Sequence, residues 1–437
     1  MTAATRPWMS DASRRREEEV LAEVGDRSVA ELASHVEALA AAGRAAHEVA
    51  AINLNPAANV MNPRAEALLA SGIGTRPSLG HPGAKYETGL ADVEAIEVVA
   101  GELVRRVFGV RHVELRVASG SMANLYAFMA TCRPGDRIIV PPPEIGGHVT
   151  HHTAGAAGLL GLEVHHAPID ADRFTVDTAA LADEAERIRP ALVTIGGSLN
   201  LLPHPVAEIR AVADAVDAAV LFDAAHVAGL VAGRVWPDPL AAGADLMTMS
   251  TYKSLGGPPS GLVLTNRSDL AARLDAIAHP GLTANFDVAR TAALAVSLLD
   301  WAAGGAAYAT AMVDTAVALA DELAALDVPV LTTSAGATAS HQLAVDARRW
   351  GGGQAAAAML ERAGLLASGI GLPDRPAPDG MPGLRLGTNE IVRWGMGSAE
   401  MPELAGLVAH ALAAPEAAAA GVADLRRRFN SLHHLHV

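Results

Sequence analysis

Short apolar segments alternate with helical segments from about residue 91 to about residue 290. The apolar segments are HVELRVAS, DRIIVPP, LEVHHAPI, ALVTIGGS, AAVLFDAA, ADLMTMS and SGLVLTN. Regular strand–helix alternation predicts an α/β fold with a mostly parallel central sheet that is covered by helices on both faces. Ligands of such sheets bind at the carboxyl ends of the strands, so we expect functional residues directly after these segments.

The rest of the sequence predicts two flanking regions. Residues 1–60 are mainly helical in pattern and predict an N-terminal helical arm, and residues 61–310 would form the large α/β domain. Residues 311–437 predict a smaller C-terminal α+β domain, with the apolar segments VPVLTTS, HQLAVDA, LLASGIGLP and GLRLGT. The tail at 425–437 carries three histidines, and we expect a frayed end there rather than a metal site.

Charge and cysteine content narrow the functional classes. The net charge of −15 would repel phosphate backbones, which disfavours a nucleic-acid partner. Cys132 is the single cysteine and cannot form an internal disulfide, which indicates a reducing compartment such as the cytoplasm. Glycine, proline or charged residues interrupt the apolar stretches, so we expect no membrane span.

Polar residues follow several of the predicted strands. Gly120 and Ser121 come after HVELRVAS at a helix start, where backbone N–H groups can hold a phosphate. Asp223 comes after VLF and can pair with a cationic ring nitrogen or cap a helix. Lys253 lies among hydroxyls and glycines in TYKSLGGPPSG, where a desolvated lysine can form a Schiff base and an exposed one would be an ordinary loop residue.

Two more residues complete a recognisable set. His148 in IGGHVTHH can stack on a planar cofactor, and the motif lacks the Cys or carboxylate spacing of a zinc site, so we predict no metal. Arg385 lies inside the apolar segment GLRLGT and can bind a substrate carboxylate or form an internal ion pair. In this order along the chain, the set indicates a fold type I (aspartate aminotransferase-like) enzyme that uses pyridoxal 5'-phosphate (PLP).

The motifs of the chain resemble those of the serine hydroxymethyltransferase family. The matching stretches are PGAKYETG, SGSMAN, GGHVTHH, FDAAHVAGL, TYKSLGGPPSG and GLRLGTNEIVRWGM, which span about residues 50–400 in the family's order. A closer likeness is to the branch that acts on α-methylserine, the α-methylserine hydroxymethyltransferases and aldolases. That branch is indicated by RPSLGHPGAKYETG, NLYAFMATCRPGD, IGGHVTHHTAGAAG, IGGSLNLLPHPV, STYKSLGG and WGGGQ.

The resemblance implies a catalytic role for each matching residue. Lys253 would bind PLP as a Schiff base, Asp223 would pair with the protonated pyridine nitrogen, and His148 would stack on the ring. His226 would contact the phenolic oxygen or the substrate carboxylate, and Arg385 would bind the α-carboxylate.

The resemblance also implies contacts with phosphate, substrate and folate. The further cofactor contacts would be Ser119, Gly120, Ser121 and Ser198, with Gly257 contributed by a neighbouring subunit. The further substrate contacts would be Tyr86, Glu87, Gly147 and Val149, and the loop around His148 would approach tetrahydrofolate if one binds. Because this family builds its sites between subunits, we expect a homodimer or a tetramer.

Several positions depart from the family pattern. Leu79 stands where ordinary members have a glutamate that handles protons or orients folate, and Pro77 stands in place of a tyrosine that reaches the partner's site. Ala57 and Tyr252 replace a serine and a histidine. Glu87 replaces the second tyrosine of a pair and could supply the missing carboxylate, or be an ordinary loop acid.

These residues predict a reversible aldol reaction of α-methylserine that gives alanine and a one-carbon unit, as formaldehyde or methylenetetrahydrofolate. Ordinary serine/glycine hydroxymethyl transfer and a folate-independent threonine-type aldolase or transaldolase remain as alternatives. A non-catalytic binding protein and an aminotransferase are disfavoured by the intact set of Lys253, Asp223 and Arg385 and by the motif around the lysine.

Overall fold

The computed structural model describes residues 6–373 and 380–436 of the 437-residue chain, which form two compact units, Met1–Ala51 and Ile52–Val437. In the first unit, α1 is Asp11–Val24 and α2 is Val29–Ala45. Ser28 caps α2 in a capping box with Glu31, in which each side chain bonds the backbone N–H of the other residue. The helical pattern predicted for this region is therefore confirmed.

The second unit contains all the strands of the described residues. They are β1 Ile52–Asn53, β2 Gly80–His81, β3 Ala84–Lys85, β4 His112–Val117, β5 Arg137–Val140, β6 Glu163–His166, β7 Ile169–Asp170, β8 Thr175–Val176, β9 Leu192–Gly196, β10 Ala219–Asp223, β11 Leu246–Ser250, β12 Gly261–Thr265, β13 Gln342–Asp346, β14 Leu365–Leu366, β15 Ser368–Ile370 and β16 Gly383–Gly387. The helices are α3 Pro63–Leu69, α4 Ala91–Phe108, α5 Gly120–Thr131, α6 Ala156–Leu159, α7 Thr178–Ile188, α8 Val206–Ala215, α9 Ala228–Ala232, α10 Ser268–Ala276, α11 Val288–Ala325, α12 Gly353–Arg362, α13 Asn389–Arg393, α14 Met401–Ala411 and α15 Pro415–Arg427.

A seven-stranded sheet forms the centre of this unit, in the order β4-β12-β11-β10-β9-β5-β6. Every neighbouring pair is parallel except the two that β12 makes, with β11 and with β4. These seven strands are the seven apolar segments of the sequence, and β9, β10, β11 and β12 are buried along nearly their whole length. The predicted mostly parallel sheet is confirmed.

A second, three-stranded antiparallel sheet, β13-β16-β15, lies in the C-terminal part. It packs with α12, α14 and α15 around its own hydrophobic cluster, which also takes in Ile52 and Leu54 from the start of the unit. β1 contributes to this region by pairing with β14. The proposed division into 1–60, 61–310 and 311–437 stays a prediction.

The apolar segment VPVLTTS forms no strand of its own. Within that segment only isolated bridges form, between Val330 and Val345 and between Thr333 and Gly336. Pro329 lacks the N–H that a strand needs to continue a ladder, although its carbonyl accepts a hydrogen bond from the N–H of Asp346. The segment therefore lies beside β13 without joining the sheet.

Helix α11 is long and apolar enough to span a membrane, but 61% of its most apolar window is buried inside the fold. Its buried residues belong to two hydrophobic clusters, the one under the central sheet and the one of the C-terminal part. Its apolar character is therefore that of a core helix.

The expectation of a frayed tail was also wrong. The ring of His434 stacks on Tyr308 with centroids 5.1 Å apart. The backbone N–H of His436 donates to Asp300 Oδ1 over 2.7 Å, and its carbonyl accepts from the amide of Asn62. Because Asn62 and Asp300 are buried, these bonds attach the tail to the interior.

Candidate active site

One cavity collects the polar residues that follow the parallel strands. Lining residues come from the segment after β4, the segment after β9, the end of β10 and the loop after β11, as the strand-end argument predicts. The cavity is lined by Ser119, Gly120, Ser121, Asn124, His148, Gly197, Ser198, Asp223, Ala225, His226, Ser250, Tyr252 and Lys253. The sheet therefore brings together most of the predicted cofactor contacts.

The N-terminus of α5 forms one wall of this cavity. Ser119 caps the helix by accepting a hydrogen bond from the N–H of Met122. Gly120 is required for close packing, because a Cβ there would lie 2.2 Å from Ser250 Oγ. Gly120 and Ser121 line the cavity at the positive end of the helix, where backbone N–H groups have no partner within the helix and suit a phosphate.

Asp223 is a buried carboxylate held by three donors. Its Oδ2 accepts from Asn124 Nδ2 at 2.9 Å and from His151 Nε2 at 3.0 Å, and its Oδ1 accepts from the N–H of Ala225. Burial by itself would raise the pKa of Asp223, but the bond from His151 and the nearby His148 outweigh it and hold the pKa well below its ordinary value. A carboxylate offers about four lone-pair positions, so Asp223 retains one for the N–H of a cationic ring.

His148 is connected to Asp223 through a chain of hydrogen bonds. Its Nδ1 accepts from the backbone N–H of Thr150, and the same nitrogen lies 2.8 Å from Thr150 Oγ1, which accepts from Asn124 Nδ2. Burial is the main cause that lowers the pKa of His148 to about 4. His148 is therefore neutral near pH 7 and suits stacking on an aromatic ring.

Lys253 is one of two lysines in the whole sequence, and the other, Lys85, forms an ion pair with Glu97 at 2.7 Å. Lys253 is only 7% exposed and places its Nζ 3.1 Å from His226 Nε2. Burial is the main cause that lowers its pKa to about 8, although Asp223 opposes the shift. A partly neutral, desolvated amine of this kind is a nucleophile for an aldehyde.

Arg385 lies on β16, where it reaches the same site from the second sheet. Its Nη1 donates to the carbonyl of Ser198 over 2.6 Å, and its Nη2 donates to Ser368 Oγ. Burial lowers its pKa to about 10, and within residues 6–373 and 380–436 no carboxylate forms an ion pair with it. A buried guanidinium without a protein anion is suited to a substrate carboxylate.

Other predicted contacts do not line the cavity of the single chain. Tyr86 is 86% exposed, and Glu87 bonds within its own loop by accepting from the N–H of Leu79. Val149 is exposed and Gly257 is buried beside Thr251. A Cβ on Gly147 would lie 1.9 Å from the carbonyl of Pro141, so the backbone needs glycine there. The roles of these residues stay predictions.

Sequence reasoning missed three residues that hold the site in place. Asn124 lies one helical turn after Gly120, and this spacing could have placed it on the same helix face. His151 ends the 3₁₀ turn that His148 caps, but it forms a hydrogen bond with Asp223, whereas His148 lines the cavity. Gln342 begins β13 and contacts His226, and no local signal in the sequence indicates that contact.

The residues present fit PLP. A helix N-terminus suits its phosphate, the ionised Asp223 suits its pyridinium, the neutral His148 suits its ring, and the Lys253 amine suits its aldehyde.

Comparison with known proteins gives consistent matches over nearly the whole chain. The serine hydroxymethyltransferase family profile matches residues 32–408. An α-methylserine aldolase from Variovorax paradoxus is 58% identical over 432 residues, which is 98% of each chain. A serine hydroxymethyltransferase from Methanopyrus kandleri is 38% identical over 379 residues, 86% of this chain and 88% of the relative.

The fold recurs in a solved structure, an L-threonine transaldolase from Pseudomonas fluorescens in the internal aldimine state. It superposes with a TM-score of 0.84 at 23% identity and covers 93% of this chain and 94% of that chain. At this identity the match concerns the fold alone, and it confirms the predicted fold type I class.

Proposed function

The chain belongs to the serine hydroxymethyltransferase family, and from this premise we propose that it is a PLP-dependent α-methylserine aldolase. The observation that carries the proposal is the 58% identity over 98% of the chain to a relative of that name. Lys253 and Asp223 in the cavity, and Arg385 next to the cavity residue His226, support it, because these three groups are the ones the chemistry needs.

In the proposed reaction, the bond between Cα and the hydroxymethyl carbon of α-methylserine breaks while the hydroxyl proton passes to a base. The hydroxymethyl carbon leaves as formaldehyde, and Cα gains a proton to give alanine. Bound PLP supplies the electron sink for the charge that develops on Cα. Arg385 binds the α-carboxylate and orients the scissile bond, and Asp223 keeps a proton on the ring nitrogen. The Nζ of Lys253 is the proposed carrier of the Cα proton, because its pKa lies near neutrality.

Glu87 is the proposed acceptor of the hydroxyl proton. Its Oε2 lies 3.0 Å from the backbone nitrogen of Leu79, the position at which the resemblance expects a glutamate. The Glu87 carboxylate is thus held beside the backbone of Leu79. Because Glu87 does not line the cavity of its own chain, this role needs a neighbouring subunit, and it forms part of a proposed homodimer or tetramer.

Folate independence is part of the proposal. The Leu79 side chain can neither transfer a proton nor form hydrogen bonds to a pterin. At this position the family resemblance expects a glutamate that serves folate chemistry, and this chain lacks it.

The single buried cysteine supports a further proposal, that the enzyme works in the reducing cytoplasm.

The test is to incubate the purified, PLP-loaded protein with each enantiomer of α-methylserine and with L-serine, and to measure alanine, glycine and formaldehyde with and without tetrahydrofolate. We expect alanine and formaldehyde from one enantiomer of α-methylserine without folate. Glycine formation from serine that requires folate would instead support ordinary hydroxymethyl transfer, the alternative favoured by the family profile and by the 38% identical relative.

Loading of the cofactor-free protein with PLP is expected to depend on pH through Lys253. With a pKa of about 8, about one-tenth of its amines are neutral at pH 7, against roughly 0.04% for an ordinary lysine. Since the neutral amine reacts, the loading rate should rise about tenfold per pH unit up to pH 8 and then level off. Stopped-flow absorbance measures this rate, and a rise that continues to pH 10 would contradict the lowered pKa.

Replacing Arg385 by alanine is expected to weaken substrate binding. Losing one partner of a buried charge pair costs about 2–4 kcal/mol, so KM for the amino acid should rise roughly 30- to 1,000-fold. Steady-state kinetics with α-methylserine measures the change. The control is Arg348→Ala at the exposed end of β13, whose ion pair with Asp346 lies outside the cavity and whose KM should stay within about twofold of the original.

A further inference from the structure

His226 has hydrogen-bond donors at both of its ring nitrogens. Gln342 Nε2 lies 3.2 Å from His226 Nδ1, and Lys253 Nζ lies 3.1 Å from His226 Nε2. Arg385 Nη1 lies 3.4 Å from the same Nε2. A neutral imidazole has one acceptor nitrogen and one N–H, so the neighbours decide which nitrogen carries the proton.

The amide of Gln342 has a defined orientation. Its Oε1 accepts from the backbone N–H of Asn200 over 3.0 Å, and its Nε2 donates to the carbonyl of Ser198 over 3.0 Å. Rotating the amide by 180° would place its oxygen against the carbonyl of Ser198, acceptor against acceptor, and its nitrogen against the N–H of Asn200, donor against donor. These two backbone groups therefore exclude that orientation. The second hydrogen of Gln342 Nε2 is therefore directed to His226 Nδ1, which must accept it.

The other ring nitrogen has a neighbour that can change roles. Because burial lowers the pKa of Lys253 to about 8, its amine is mostly neutral above that pH and then has a lone pair that can accept from an Nε2–H. Gln342 Nε2 cannot accept at all. Arg385 Nη1 is a donor only, but it lies further away and already donates to the carbonyl of Ser198 over 2.6 Å. A doubly protonated ring is disfavoured by burial and by the positive charge of Arg385.

We propose that Gln342 is a positioning residue that holds His226 as its Nε2–H tautomer. The N–H of His226 then points to the reactive end of the cavity, where it can donate to an oxygen of the cofactor or of the substrate carboxylate. The tautomer follows from hydrogen bonds of the protein alone, whereas its benefit to catalysis rests on the proposed aldolase function. Gln342 needs no contact with either ligand for this role.

The test uses the full-length protein, with and without PLP, labelled with ¹⁵N in its histidine rings and held at about pH 9, above the pKa of about 8 of Lys253. The His226 signals are assigned from the spectrum of a His226→Asn variant. We expect an unprotonated Nδ1 and a protonated Nε2 in the original protein, and a shift of the proton toward Nδ1 in Gln342→Met, which has no donor for that nitrogen. A protonated Nδ1 in the original protein, or an unchanged tautomer in Gln342→Met, would overturn the proposal.

Two further variants separate this role from general damage. Gln342→Glu should shift the proton to Nδ1 as well, because an ionised carboxylate accepts from it, and this variant serves if the methionine variant does not fold. Gln354→Met changes the only other glutamine of the chain, which accepts from the N–H of Gly369 outside the cavity, and it should leave the His226 signals unchanged.

Kinetics give a second readout. Losing one oriented donor in a buried site should lower kcat for α-methylserine about tenfold or more in Gln342→Met, with KM changed less than about threefold. If the original protein has the Nε2–H tautomer but does not cleave α-methylserine, then the proposed function fails and the tautomer assignment stands. If it cleaves α-methylserine while His226 carries its proton on Nδ1, then the tautomer assignment fails alone.

Discussion

Replacing Lys253 by alanine is expected to lower kcat at least about 10⁴-fold, as removal of an essential nucleophile does in other enzymes. Of the two lysines, Lys85 is enclosed by Glu97 and by the carbonyls of Ser78 and Gly80, whereas Lys253 forms no ion pair with a carboxylate among the described residues. The variant should also lose the covalent attachment of PLP.

The chain permits an unusually clean measurement of that attachment. Borohydride reduction of the PLP-loaded protein converts the reversible lysine–cofactor bond into a stable one, and with two lysines only two peptides can carry the label on a lysine. We expect the label on Lys253 in the original protein and in Lys85→Arg, and no label in Lys253→Ala. A label on Lys85, or full turnover by Lys253→Ala, would refute the assignment.

Replacing Asp223 by asparagine is expected to lower kcat about 10³-fold, or about 4 kcal/mol of transition-state stabilisation. Asparagine is nearly the same size and can still accept from Ala225 or His151, but it carries no charge to hold a proton on the ring nitrogen of the cofactor. The side chain should still fit the buried site, so the loss should appear in kcat more than in folding. Steady-state kinetics and a thermal unfolding curve together measure both.

Asp245→Asn is the matched control for this prediction. Asp245 is also a mostly buried aspartate, but it precedes β11 at the opposite end of the sheet and pairs with Arg210 and Arg267. Losing its charge should lower the melting temperature and leave kcat within about twofold of the original. If both variants lost activity equally, the effect of Asp223→Asn would be structural and its proposed role would be wrong.

The central sheet was predictable because its signal is local. Segments such as AAVLFDAA and ADLMTMS are apolar over their whole length, and only a strand that is buried on both faces needs that composition. Strand ends were less predictable. LEVHHAPI joins the central sheet only over Glu163–His166, because this edge strand has a neighbour on one side only, β5, and ends where β5 ends.

The candidate site was predictable where a residue directly follows a strand. Asp223 and Lys253 lie at the ends of adjacent parallel strands, and parallel strands bring such positions together whatever the rest of the fold does. Gln342 and Asn62 gave no such signal. Their partners, His226 and Asp300, are 116 and 238 residues away along the chain, so the pairings depend on how two sheets and a helix pack.

The sequence by itself thus determined the strand–helix order, the fold type and the candidates for the reactive residues, since each depends on residue types and on spacing within one element or motif. Only the tertiary structure decided the state of those residues. Burial lowers the pKa values of Lys253 and His148, His151 keeps Asp223 ionised, and Gln342 orients His226. These properties arise from desolvation and from contacts between distant segments, which exist only after the chain has folded.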